Sequence, residues 1–242
     1  MIQTAVRPQT KAAVTVTAPR HDIYAGVHKG LRSFMAETLV AAGRMDAHDT
    51  AEVIGTLAQI RELLALCRAH LHAEDQFLHP AMEGRRPGSA RQTAKEHEDH
   101  VLAIDALETD ALAVERAQPG SRAAAARRLY RHLAVFVAEN LEHMQVEETA
   151  NNAVLWAAYT DEELAEIQHA IVASLPPEKM GAFMRWMVPA MSSAERAGLL
   201  GGIQLGAPRE VFERVLATVR PHLTDREWAK LMAALAPMPV SA

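Results

Sequence analysis

The sequence is poor in several things, and each shortage excludes something. It holds one cysteine, Cys67, in 242 residues. That rules out an intrachain disulfide and agrees with a reducing compartment, so a cytoplasmic location is expected. Aromatic residues make up only 5% and β-branched runs are scarce, which argues against a chain built from strands. No apolar run reaches the length of a membrane span, and the first twenty residues hold no apolar stretch of the kind a secretory leader needs, so no membrane partner is expected. Positive charge is neither abundant nor clustered. The net charge is −5 with Lys and Arg scattered, which predicts no nucleic-acid partner.

What remains is rich in Ala and Leu and 49% hydrophobic, with twelve histidines. That balance favours helices around a real core. Residues 1–20, with two prolines and no helical period, read as a loose lead-in. A first helix is expected over 21–42, where His21, Tyr24, His28, Leu31, Met35, Leu39 and Ala42 recur at spacings of three and four and Gly43 suits the end. A second begins at Asp49 with Glu52 as capping-box partner, carries Val53, Leu57, Ile60, Leu64, Cys67, Leu71, Glu74 and Leu78 inward, and is ended by Pro80 and the segment 84–88. A third starts at Ser89 with Gln92 as its box partner, carries His97, Val101, Ile104, Leu107, Ala111 and Val114, and stops at Pro119-Gly120. A fourth covers 121–153 with Leu129, Leu133, Phe136, Asn140, His143 and Glu147 inward. Four long helices with short loops predict an all-α fold: an up-down-up-down antiparallel four-helix bundle over 21–156. A C-terminal helical region over 157–242 should come after it, with helix starts at Thr160, Pro176-Pro177, Ser192, Pro208 and Thr224. No internal repeat is evident.

The chemistry gathers on two pairs, His70-x-x-x-Glu74 and His143-x-x-x-Glu147. Residues four apart share one helix face. Both pairs lie in apolar seams, where a charged carboxylate is costly unless it is paired or binds a metal. Counting from the turns brings Glu74, His97 and His143 to one height. The first helix offers His21 or His28. Turn counting prefers His21, and both stay open at this point. Two glutamates from different helices can bridge two metals while histidines close the ends. A mixed nitrogen and oxygen set suits iron, manganese or zinc better than calcium, and the lack of cysteine ligands argues against a structural zinc.

The stretches Val27-His28-Lys29-Gly30-Leu31-Arg32, His70-x-x-x-Glu74-x-x-Phe77-x-His79-Pro80, Glu96-His97-Glu98 and His143-x-x-x-Glu147-Glu148 resemble the hemerythrin-like HHE cation-binding domain over roughly 21–156. The resemblance implies a bundle holding two iron ions in a non-haem di-iron centre. It implies as metal ligands His28, His70, Glu74, His97, His143 and Glu147, and so selects His28 over His21. The third helix departs from the oxygen-carrying hemerythrins, which supply His-x-x-x-His there. This chain has His97 and His100, three apart.

Other residues have plainer readings. His72 is expected at the surface, His79 at a helix end, and His132 as a hydrogen-bonded core residue. Cys67 and the Met180–Met187 group read as core. Tyr24, one turn before His28, reads as packing, with donation to a bound ligand as the sharper alternative. The leading expectation for function is a protein that binds or senses oxygen, another small diatomic, a peroxide species, or iron. A di-iron peroxidase or oxidase is the enzymatic alternative, for which Tyr24 and His100 are the available proton donors. The third reading is a metal-stapled interaction module whose C-terminal helices meet a protein partner or a second copy.

Overall fold

The computed structural model describes residues 20–236, and the described chain is helical with no strand. The lead-in expected over 1–20 falls, apart from Arg20, outside the described residues. The helices are α1 (Ala25–Arg44), α2 (Thr50–Ala73), α3 (His79–Arg85), α4 (Arg91–Arg116), α5 (Pro119–Val146), α6 (Asn152–Ala158), α7 (Asp161–Ser174), α8 (Pro177–Ala190), α9 (Ser193–Gly206), α10 (Arg209–Val219) and α11 (Asp225–Leu235). α1, α2, α4 and α5 pack in cyclic order, each against two others, as a helical bundle.

The apolar seams meet as their spacing requires. Leu31, Phe34 and Met35 of α1, Leu57, Ile60, Leu64, Cys67 and Leu71 of α2, Ile104, Leu107 and Val114 of α4, and Leu133 and Phe136 of α5 form one buried core. A smaller core lies around Ile23, Tyr24, Leu78, Met82, Leu155 and Leu164. Every Glu and His of the two spaced pairs is buried between these helices.

Helix ends differ from expectation where side chains compete for backbone groups. α1 starts four residues later than the sequence period suggests, because the Asp22 carboxylate accepts from the N–H groups of Tyr24 and Ala25. Gly43 does not end α1. It lies inside the helix, where a Cβ would come within 3.1 Å of the Tyr130 ring. Asp49 caps α2 through Ala51 and Glu52 N–H, while Glu52 turns to the N–H of Asp46 rather than back to Asp49. The Ser89–Gln92 box does not form: the Glu83 carboxylate takes the N–H groups of Gly88 and Ala90 instead. Pro80 does not stop the second helix. A π-helical turn, Glu74–Leu78, precedes it, and α3 carries on to Arg85. Proline removes a donor and crowds the carbonyl four residues back, and the helix passes it with the π turn on its N-terminal side. A second π turn, Glu147–Asn151, interrupts the α5–α6 helix in the corresponding place.

All five C-terminal starts form as the sequence indicates, three of them with reciprocal capping boxes at Thr160, Ser192 and Thr224. α8 lies directly on α1. Gly30 lets the backbones meet there, since a Cβ would sit 2.9 Å from the backbone nitrogen of Met187. Trp186 stacks on Phe34 at 3.9 Å. Met184 and Val188 of α8 face the other way, into a third core with Leu200, Val219, Leu231 and Leu235.

Candidate metal centre

Both π turns begin on the glutamate of a His-x-x-x-Glu pair: Glu74 and Glu147. The residue after each glutamate, Asp75 or Glu148, lies within the turn and points at a histidine on a neighbouring helix. Such turns commonly mark functional sites.

At the centre, two histidine pairs face each other across the two glutamates. His28 Nε2 lies 3.2 Å from His70 Nε2. His97 Nε2 lies 3.0 Å from His143 Nε2. Glu74 sends Oε1 to the first pair, 3.3 Å from His70, and Oε2 to the second, 3.3 Å from His97. Glu147 does the same with Oε2 3.3 Å from His28 and Oε1 3.1 Å from His143. Two four-residue groups result, His28–His70–Glu74–Glu147 and His97–His143–Glu74–Glu147, sharing both carboxylates.

The outer contacts set the tautomers. His28 Nδ1–H donates to Glu148 at 3.0 Å, His97 Nδ1–H to Asp75 at 2.7 Å, and His143 Nδ1–H to Glu96 at 2.7 Å. With the proton on Nδ1, each Nε2 presents a lone pair inward. In the neutral form of these rings, lone pairs and carboxylate oxygens converge on shared points. All four oxygens of Glu74 and Glu147 are buried without a hydrogen-bond partner. Such a set fits divalent cations, and a carboxylate behind a ligating histidine is the usual means of fixing its ring. Arg32 pairs with Glu148 and holds it in turn. His79 ends the π turn through its backbone N–H to Glu74, but its side chain caps nothing. It is buried, 3.0 Å from Asp75 and 3.2 Å from Thr93 Oγ1, and so supports the carboxylate behind His97.

Electrostatics without a cation reflect the same crowding. Burial opposes charge on His28 and His97, yet the surrounding glutamates outweigh it and hold both up to about 10. Burial likewise opposes charge on Glu147, and His143, His28 and His97 overcome it, leaving the carboxyl well below its usual range. Burial alone dominates at His70, pushed down to about 4. The buried carboxylates thus draw positive charge to the centre, a demand that divalent cations would also meet.

The remaining candidates separate cleanly. His21 sits outside the cluster, with Nε2 2.7 Å from Gln168. His100 is buried edge-on to His143 at 4.8 Å, but its nitrogens fall outside both groups and Nδ1 has no partner. His72 is exposed. His132 is hydrogen-bonded to Asp110 as expected, but its side chain is 54% exposed and not in the core. Tyr24 is buried, its ring 5.3 Å from that of His28 and its Oη without a partner. Burial, then the charges of Glu74 and Glu147, raises its phenol well above the ordinary value. Reading the sequence alone missed the roles of Asp75, Glu96, Glu148 and Thr93. The available signal was the acidic doublet, Glu74-Asp75 and Glu147-Glu148, that ends each spaced pair.

A sequence profile of one protein family, the hemerythrin HHE cation binding domain, matches residues 21–153. No curated protein and no solved structure matches the chain.

Proposed function

The chain belongs to the hemerythrin HHE cation-binding family, and from that premise we propose that it holds two iron ions and uses them to bind a small diatomic or peroxide species. The ligands in this reading are His28 and His70 at one position, His97 and His143 at the other, and Glu74 and Glu147 across both. One observation carries it: each glutamate divides its two oxygens between the two histidine pairs. A single ion would leave one histidine pair and two buried oxygens unanswered. Imidazole with carboxylate suits iron among the metals open to such a set. The ring order of α1, α2, α4 and α5 supports an up-down-up-down topology, in which the four ligand-bearing segments reach one level.

Paired irons supply redox change toward a small oxygen-type ligand. The chain's own residues do the rest. Asp75, Glu96 and Glu148 hold three imidazoles in the tautomer that ligation needs. The apolar cores on both sides keep water from the centre. The test is to load metal-free protein with ferrous iron under anaerobic conditions and record the optical spectrum on admitting oxygen. An oxo-bridged di-ferric band supports the reading, and peroxide turnover in the same sample decides between carrier and enzyme. Absence of any such band from an iron-loaded sample would overturn the oxygen-binding role.

A further inference from the structure

Tyr24 and His100 are buried polar side chains beside the candidate ligands that the metal reading does not use, and Tyr24 is the one with a hydroxyl to give. It sits one residue before α1, one turn ahead of His28, with its ring against the His28 imidazole. It is 1% exposed. Its other neighbours, Ile23, Leu78, Met82, Leu155 and Leu164, are apolar and offer no acceptor. Asn151, buried beside it, approaches the phenol oxygen as a donor and gives its Nδ2 to Thr93 Oγ1 at 3.3 Å, so the Tyr24 O–H itself finds no acceptor. A buried hydroxyl with no partner is costly and uncommon in a folded protein. The other half of the site shows what a satisfied version looks like. Thr93 stands one turn ahead of His97 as Tyr24 stands ahead of His28, and its hydroxyl donates to the Ala90 carbonyl and lies 3.2 Å from His79 Nε2. The longer side chain is therefore on the half where no protein acceptor meets its hydroxyl.

We infer that Tyr24 donates the hydrogen bond that positions the exogenous small ligand at the dinuclear centre. The inference rests on the metal reading above. The ligand class is a small anion or oxygen species with a lone pair free on the side of His28. The phenol completes the bond only when that ligand is present, which accounts for an acceptor missing from the protein itself. Thr93 is already bonded to its own backbone, and the ligand in this inference sits toward His28, where the Tyr24 ring lies.

The test uses the full chain loaded with ferric iron, with azide as the probe. Iron per chain is measured first in wild type and Tyr24→Phe. Azide affinity is then read by optical titration, and the azide band is compared in light and heavy water. The expected result is equal iron content, azide affinity about tenfold weaker in Tyr24→Phe, and a heavy-water shift present in wild type and lost in the variant. Equal azide affinity at equal iron content would overturn the inference and leave the metal reading standing. A visible tyrosinate-to-iron band removed by the substitution would also overturn it, making Tyr24 a ligand. If Tyr24→Phe loses iron, the heavy-water comparison in wild type alone decides: no shift overturns the inference. Wild type that takes up no metal would overturn both readings.

Discussion

The two halves of the site share an inner layer and differ in the collar around it. On one half, α1 brings His28 and α2 brings His70 and Glu74. On the other, α4 brings His97 and α5 brings His143 and Glu147. Each half then has an acidic residue, Asp75 or Glu148, and a π turn, and each acidic residue reaches across to hold the lone histidine of the opposite half. The collars diverge. Glu96 holds His143, but Val27 stands in the corresponding place on α1 and gives His70 nothing. His70 is also the most exposed of the six, at 8%. Tyr24 faces Thr93 in this comparison, and Leu31 faces His100. In the proposed reading, the inner layer would set what the site binds, and the collar how tightly each half holds it.

That comparison breaks most severely at the shared carboxylates. Glu74→Leu and Glu147→Leu should each drop iron below one per chain, because both positions lose an oxygen at once. His28→Ala and His97→Ala should each remove only one iron. If a glutamate variant and a histidine variant lose iron equally, the carboxylates are not shared. The metal-free state tests the same carboxylate by another route. Glu74 faces His28, His70 and His97, and removing one partner of a buried charge pair strands the other. Metal-free Glu74→Leu should therefore melt below metal-free wild type.

A pH experiment sharpens the point. His28 and His97, held up to about 10 without metal, stabilise the metal-free fold fully below their unfolded value of about 6.5, and that support is lost as pH rises toward about 10. Metal needs the same nitrogens unprotonated, so its stabilisation grows across that window. The gap in melting temperature between loaded and metal-free protein should be wider at about pH 8.5 than at about pH 6.5. A gap that narrows would contradict the proton-for-metal exchange.

Smaller effects test the collar. Glu96→Gln should weaken metal at the His97–His143 position by about 10- to 100-fold, as removal of a carboxylate behind a ligating histidine does. Val27→Ala, at the matching place, should leave metal affinity unchanged. Calorimetric titration of both variants reads the difference. The smallest effect is expected for His100→Leu, which copies Leu31 into the second half. It should keep two irons per chain and lose little stability, since the buried His100 Nδ1 has no partner to forfeit. Loss of one iron would make His100 a ligand after all.

The sequence carried the seams and the ligand spacing well. His-x-x-x-Glu at 70/74 and 143/147 needs only helical geometry to be read, and Glu74 and Glu147 are where their periods put them. Capped starts at Thr160, Ser192 and Thr224 were legible because side chain and backbone lie three residues apart. What was not legible depended on other helices. Asp75 and Glu148 follow each pair by one residue, off the face its spacing defines, so spacing alone could not show that they face His97 and His28. Turn counting drew His21 toward the site because it assumed an unbroken helix, whereas Asp22 caps α1 after it. The likeness of the two halves was hidden by a slip. His28 and His70 are 42 residues apart and His97 and His143 are 46, and a four-residue difference in the connections erases any fixed repeat.

The central claim is that two metals share Glu74 and Glu147, and the most direct measurement is a titration of metal-free protein with ferrous iron, counting ions per chain. The account predicts saturation at about two, with the ferric product magnetically coupled through the shared groups. Saturation at one, unchanged by excess iron, would contradict it.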